Sequence, residues 1–146
     1  MRTVLPYIHV LLAGLWIGCI LTEALFERAM LAGDRRSHAA LAELHVRVDN
    51  FVEIPAFLGV LLTGWSLYPS RSIDGPWFHL KIAAGLAAIL VNVYCVVLVY
   101  QRRAAAQTGD WDRFDWLDHR QHPFGAAVLV FALIAMLIGM ALKHLR

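Results

Sequence analysis

Four stretches of this chain run without a formal charge for long enough to be read as helices crossing a lipid bilayer. Between Val4 and Thr22 only His9 can titrate, and these 19 residues approach the ~20 needed to cross ~30 Å of hydrocarbon. The second stretch is uncharged only over the 15 residues from Ile54 to Tyr68, so its helix must take in polar turns from about Glu43. The start of that helix is therefore wet or paired. The third stretch, Ile82 to Tyr100, has 19 residues and the fourth, Pro123 to Leu142, has 20. Unbroken apolar runs exclude barrel strands, which would alternate, and a helix is then the way to satisfy the backbone in lipid. The pattern predicts an all-α, integral membrane four-helix bundle with up-down-up-down topology. It forms one domain, 1–146, with spans at about 4–26, 43–68, 78–101 and 119–143.

Composition supports that reading. The chain is 60% hydrophobic and 16% charged, with a mean hydropathy of +0.60, outside the range of a soluble domain of this size. A net charge of +2 and the lack of a basic stripe interleaved with aromatics give no reason to expect a nucleic-acid partner; the lipid bilayer is the partner expected. A homo-oligomer is left open. Cys19 and Cys95 lie in apolar runs and are not close-spaced, which indicates neither a disulfide framework nor a zinc motif. The opening MRTVLPYIHVLLAGLWIG has the basic start of a secretory signal, but its apolar run is too long for a signal core. It is expected to remain as the first span.

Charge sets an orientation. We call end A the end with the N-terminus, the loop between spans two and three, and the C-terminus; end B is the other. End A carries Arg2, Arg71, Lys81, Lys143 and Arg146, and end B carries Arg28, Arg35, Arg36, Arg47, Arg102, Arg103, Arg113 and Arg120. The positive-inside rule then puts end B in the cytoplasm of a cell inner membrane and both termini on the other side. Trp77, Trp111 and Trp116 suit interfacial anchoring.

The acids are far less even. All but Asp74 fall at end B, and some are embedded in spans, where an ionisable group is a functional suspect whose partner must be named. Glu23 and Glu27, four apart, share one face of span one. His45, Asp49 and Glu53 form a four-spaced stripe on span two, and His119 and His122 sit at the entry to span four, each four residues after an acid, Asp115 or Asp118. Helices projecting Glu, Asp and His inward build carboxylate-bridged di-iron and di-manganese sites, and the same donors suit zinc or copper. No Glu-x-x-His motif is present. The seven residues are expected to bind a transition-metal ion, with iron, copper and zinc not distinguished. Two other accounts stay open: an ionic network with Arg28, Arg47 and Arg120, and a proton path.

End A offers different donors. His9 lies within span one, His79 and Lys81 begin span three, and Met136, Met140 and His144 form a stripe ending span four. Imidazole and thioether are axial ligands of haem, and a lysine can hold a propionate. The ordinary accounts are a satisfied core histidine, a snorkelling lysine and packing methionines. Cys19 and Cys95 are at comparable depth and would suit a soft metal or serve as small buried hydrophobes.

Several of these residues fall in short motifs. HVLLAGLWIGC, with His9 seven positions before Trp16, resembles the first span of the small bacterial protoporphyrinogen oxidases of the HemJ type. Pro55 followed by LLTGWSL, GPWFHLK ending in Lys81, and Pro123 are similar to their later segments. These motifs are shared with other four-span families such as the copper-resistance D-type proteins. The resemblance spans nearly the whole chain and implies that His9 and Lys81 bind haem b or a porphyrin. The departures gather at end B: Glu23, Ala24 and Leu25 stand where the family has Leu-Pro-Arg, Asn92 stands for a histidine, and the glutamate before Pro123 is missing. The expectation is a related scaffold with a different metal or redox task. It would be a metal- and/or haem-binding redox protein, an oxidoreductase if an enzyme, exchanging electrons with quinone or porphyrin. The alternatives are a small copper-type transport or handling protein and a structural membrane subunit.

Overall fold

The computed structural model describes residues 4–68 and 75–144, and among them every regular element is a helix. Helix α1 spans Leu5–Leu31. Helix α2, Arg35–Val48, continues through a five-residue π-helical segment, Asp49–Glu53, into α3, Ile54–Leu67. Helix α4 is Pro76–Thr108 and α5 is Trp111–His144. These make four helical rods, each long and apolar enough to cross a membrane.

The rods outrun the apolar runs. Helix α4 has 33 residues, about 50 Å at 1.5 Å per residue, against ~30 Å of hydrocarbon. The second rod starts at Arg35 and the fourth at Trp111, both ahead of the spans expected from about 43 and 119. The extra turns are amphipathic. Leu41, Ala42, His45 and Val46 are buried on one face of α2, and Phe114 and Leu117 on one face of α5. Of these, Ala42, Phe114 and Leu117 join Leu98 and Ala105 of α4 in a second apolar cluster, separate from the main one of Trp16, Ile20, Phe57, Ala88 and Val128.

Local chemistry sets the ends of these helices. Asp34 caps α2, its carboxylate accepting from Ser37 N at 3.0 Å and from the Ser37 hydroxyl at 3.0 Å. Those bonds hold the Asp34 carboxyl below the usual aspartate range. Pro76 opens α4, where a missing N–H costs nothing. Gly109 closes it at φ +73°, in the left-handed region, donating to Ala105 O and Ala106 O. The chain then turns at once into α5, with Asp110 Oδ1 accepting from Arg113 N at 3.1 Å.

The π segment has a visible cause. Pro55 has no N–H and its ring would crowd the carbonyl one α-turn back. The backbone widens just before it, and Ile54 N–H reaches the carbonyl of Asp49, five residues earlier.

Contacts along the rods fix their registers. On α1 and the second rod, His9 meets Thr63 and Gly64, Leu12 meets Gly59, Trp16 meets Phe57, and Glu23 meets His45. On α4 and α5, Lys81 meets Gly139, Gly85 meets Ala135, Tyr94 meets Phe124, and Arg102 meets Phe114. Numbers rise on one rod as they fall on the other. Large apolar side chains such as Leu11, Leu25, Phe51, Leu62, Trp65 and Leu90 face outward. Of the expected anchors, Trp77 and Trp116 are exposed, whereas Trp111 is half-buried under the Arg35 guanidinium.

Candidate metal centre

Seven ionisable side chains from all four rods meet between the two apolar clusters. At the centre is His45. Its Nε2 lies 3.3 Å from Glu23 Oε2 and 3.8 Å from Asp49 Oδ1, and its Nδ1 lies 3.2 Å from Glu27 Oε1 and 2.8 Å from Arg102 Nη2. Arg102 also donates through Nη1 to Glu27 Oε1 at 2.9 Å and to Asp118 Oδ1. Glu53, one turn beyond Asp49, completes the set, and its carboxylate lies with those of Glu23 and Cys19 Sγ in a group whose donor atoms are within 4.8 Å of one another. Glu23, His45 and Asp49 form a second such group.

The π segment aligns this stripe. A four-residue step overshoots an α-helical turn by about 40°, so three residues spaced by four would spiral off one face. In the wider π turn four residues fall short of a full turn, which brings Glu53 back into line with His45 and Asp49.

Burial makes the charge balance decisive. Glu27, His45, Asp49, Glu53 and Arg102 are buried, Glu23 and Asp118 nearly so. Five carboxyl groups, those of Glu23, Glu27, Asp49, Glu53 and Asp118, surround one guanidinium and one imidazole. Even with His45 protonated the set is three positive charges short, and a low-dielectric interior does not tolerate such an excess. Arg102 neutralises the outer pair, Glu27 and Asp118. The inner three, Glu23, Asp49 and Glu53, have His45 alone among these cations.

Beside the inner three lies a cavity of about 30 Å³, walled by His45, Asp49, Glu53, Asn92, Cys95 and Gln121 among others. Two acceptor atoms on this wall, Asp49 Oδ2 and Gln121 Oε1, are buried and make no hydrogen bond within the protein, and Asn92 interacts with the Glu53 carboxylate. Buried polar groups left in this way ordinarily have a partner in a water or an ion, and the volume admits one.

His45 can serve the inner set in one of two tautomers. If Nδ1 accepts from Arg102, the ring proton sits on Nε2 and points at Glu23. Arg102 can only donate, so with Nη2 2.8 Å away Nδ1 accepts in this geometry. Nε2 offers its lone pair toward Glu23 and Asp49, the carboxylate–histidine–metal arrangement, only when Nη2 moves off Nδ1 and Nδ1 donates to Glu27 instead.

Of the seven expected metal-site residues, the structure brings together Glu23, Glu27, His45, Asp49 and Glu53. His122 stands at the margin: it is exposed, Nε2 is 3.8 Å from Glu27 Oε2, and Nδ1 is 2.7 Å from the Asp118 carbonyl. His119 is exposed on an open depression that His122 also lines, with Trp116, Arg120 and Pro123, and none of the inner set lines it. The arginine of the network is also different from those expected. Arg47 pairs with Glu43 at 3.3 Å, and Arg120 donates to Tyr94 Oη at 2.8 Å while stacking on Trp116. Arg102, counted from the sequence only among the end B cations, is the one inside. Its signal was present: Asn92, Cys95, Val99 and Arg102 form one buried stripe on α4, at spacings of three and four.

The end A residues have separate surroundings. Thr63 donates its hydroxyl proton to Gly59 O at 2.6 Å, so its oxygen accepts from His9 Nδ1 at 2.8 Å. That leaves the lone pair on His9 Nε2. The ring packs on Gly64, where a Cβ would sit 3.3 Å from Cε1. The Lys81 stem crosses Gly139, and exposed His79 shares Nδ1 with the Gly75 carbonyl at 3.0 Å. Met136 packs on the main cluster and Met140 is exposed; the side chain of His144 lies outside the described residues, as do Arg2, Arg71, Asp74 and Arg146. Both cysteines are buried free thiols.

No protein-family model, curated protein or solved structure matches this chain.

Proposed function

We propose that this chain is a multi-pass membrane metalloprotein: four helices cross an inner membrane up-down-up-down, and a transition-metal ion sits among Glu23, His45, Asp49 and Glu53 at the cytoplasmic end B. The observation that carries this reading is the unbalanced inner carboxylate set beside a cavity with two unsatisfied buried oxygens, Asp49 Oδ2 and Gln121 Oε1. Several carboxylate oxygens with one imidazole suit iron, manganese or zinc better than copper(I), which prefers thioether and thiolate. With an ion bound, Nδ1 would donate to Glu27, the outer carboxylate that Arg102 holds, in place of accepting from Arg102 Nη2. A redox role, with quinone or a porphyrin as electron partner, is the activity this reading favours over export.

Protonation would also balance the charge, so metal content decides between an ion and a proton store. Full-length protein purified in mild detergent should retain about one or more equivalents of transition metal after dialysis, and His45→Ala or Asp49→Asn should retain less. Metal-free protein that takes up no iron, manganese or zinc on reconstitution would defeat the proposal. A metal that exchanges freely in detergent would favour transport.

A second reading concerns the other end of the bundle, where the resemblance ties His9 and Lys81 to haem b. The Thr63 bond supports it, since a proton on Nδ1 leaves His9 Nε2 in the tautomer of an axial ligand. Bound there, haem would supply one-electron chemistry. A Soret band in the purified protein tests this.

A further inference from the structure

The two oxygens of Glu23 face different donors. Oε2 lies 3.3 Å from His45 Nε2, on the side of Asp49, whereas Oε1 lies 3.9 Å from Cys19 Sγ, with the Glu53 carboxylate in the same group. Glu23 is therefore the one residue common to both donor groups, Cys19–Glu23–Glu53 and Glu23–His45–Asp49. We propose that the centre is binuclear: Glu23 bridges two metal ions, one held with His45 and Asp49, the other with Cys19 and Glu53.

The proposal deepens the metal-site reading and rests on it. A carboxylate that offers one oxygen to each of two donor sets is the arrangement of bridged two-metal sites, whose ions lie about 3.5–4 Å apart. Position along α1 makes it possible, because Cys19 and Glu23 are one turn apart on one face. The π turn supplies the other half, holding Asp49 and Glu53 on the same line so that one serves each ion. Charge agrees as well: the inner three carboxylates exceed what His45 can balance, and a second divalent ion with a Cys19 thiolate adds one net positive charge. The independent sign of a ligand is the cavity wall. Asp49 Oδ2 and Gln121 Oε1, at 1% and 6% exposure of their residues, are acceptors with no hydrogen bond within the protein and line the space next to Glu53. The two subsites differ in softness. The thiolate subsite takes cobalt(II), zinc or iron(II), and the imidazole–carboxylate subsite takes manganese as well.

Cobalt(II) titration of metal-stripped, full-length protein in detergent separates the outcomes. The expected result is about two equivalents bound, with a thiolate-to-cobalt charge-transfer band in the near ultraviolet. Cys19→Ser should remove the band and one equivalent; His45→Ala should remove one equivalent and keep the band; Cys95→Ser should change neither. In the unaltered protein, the two-cobalt form should show an electron paramagnetic resonance signal weaker than twice that of the one-cobalt form, because a shared carboxylate couples the spins. That measurement stands even where a variant misfolds. No cobalt bound at all would overturn the metal-site reading itself. A single equivalent without a thiolate band, or two uncoupled ions whose band survives Cys19→Ser, would overturn the binuclear proposal alone.

Discussion

Arg102 donates through Nη1 to Glu27 Oε1 at 2.9 Å, and none of the arginine side chain is exposed. A guanidinium in that position is tolerated because its charge is met at once by Glu27 and Asp118, with Phe114 beneath it. Removing it strands two carboxylates that are largely shielded from water. Arg102→Met should destabilise the protein by about 3–5 kcal/mol, read as a lower midpoint in detergent unfolding. Addition of Glu27→Gln and Asp118→Asn to the same chain should recover much of the loss. An unchanged midpoint in the single variant would mean that the ion pair contributes nothing net.

Glu27 is expected to act on the metal through His45 and not by ligation. Glu27→Gln should weaken metal binding about 10–100-fold while leaving the number of ions at saturation unchanged. Equilibrium titration with zinc against a chelator measures both quantities. A lost equivalent would instead make Glu27 a ligand.

His119, on α5, should behave differently from His45. His119→Ala should leave metal content unchanged, since His119 lies exposed in the depression beside Trp116. His45→Ala should lower it sharply. Metal analysis of the two variants side by side is sufficient, and equal losses would show that α5 supplies a ligand.

His9 and the carboxylate centre occupy different parts of the bundle, with the main apolar cluster between them on α1. His9→Ala should abolish any Soret band and leave the end B metal content unchanged, and Asp49→Asn should lower the end B metal content and leave the Soret band. One substitution emptying both sites would refute their independence.

Gly109 ends α4 at φ +73°, where a Cβ crowds the following carbonyl, although the space around it is open. Gly109→Ala should cost about 1–2 kcal/mol through backbone strain alone, seen as a lower unfolding midpoint with unaltered metal binding.

The sequence by itself determined that the protein is helical and that four rods have the length and hydropathy to cross a membrane, because uninterrupted apolar runs leave the backbone little alternative to internal hydrogen bonds. It also determined the His45, Asp49 and Glu53 stripe and the Glu23 and Glu27 pair, since four-residue spacing on one helix is a local property. Only the tertiary structure decided that Arg102 lies inside the site while Arg47 and Arg120 do not, and that His119 faces away from it. Which polar side chains meet depends on the rotation and register of whole helices about one another. That is set by side-chain packing between distant segments, such as Trp16 on Phe57 and Tyr94 on Phe124, and by the π turn ahead of Pro55, none of which a spacing rule along one helix can express.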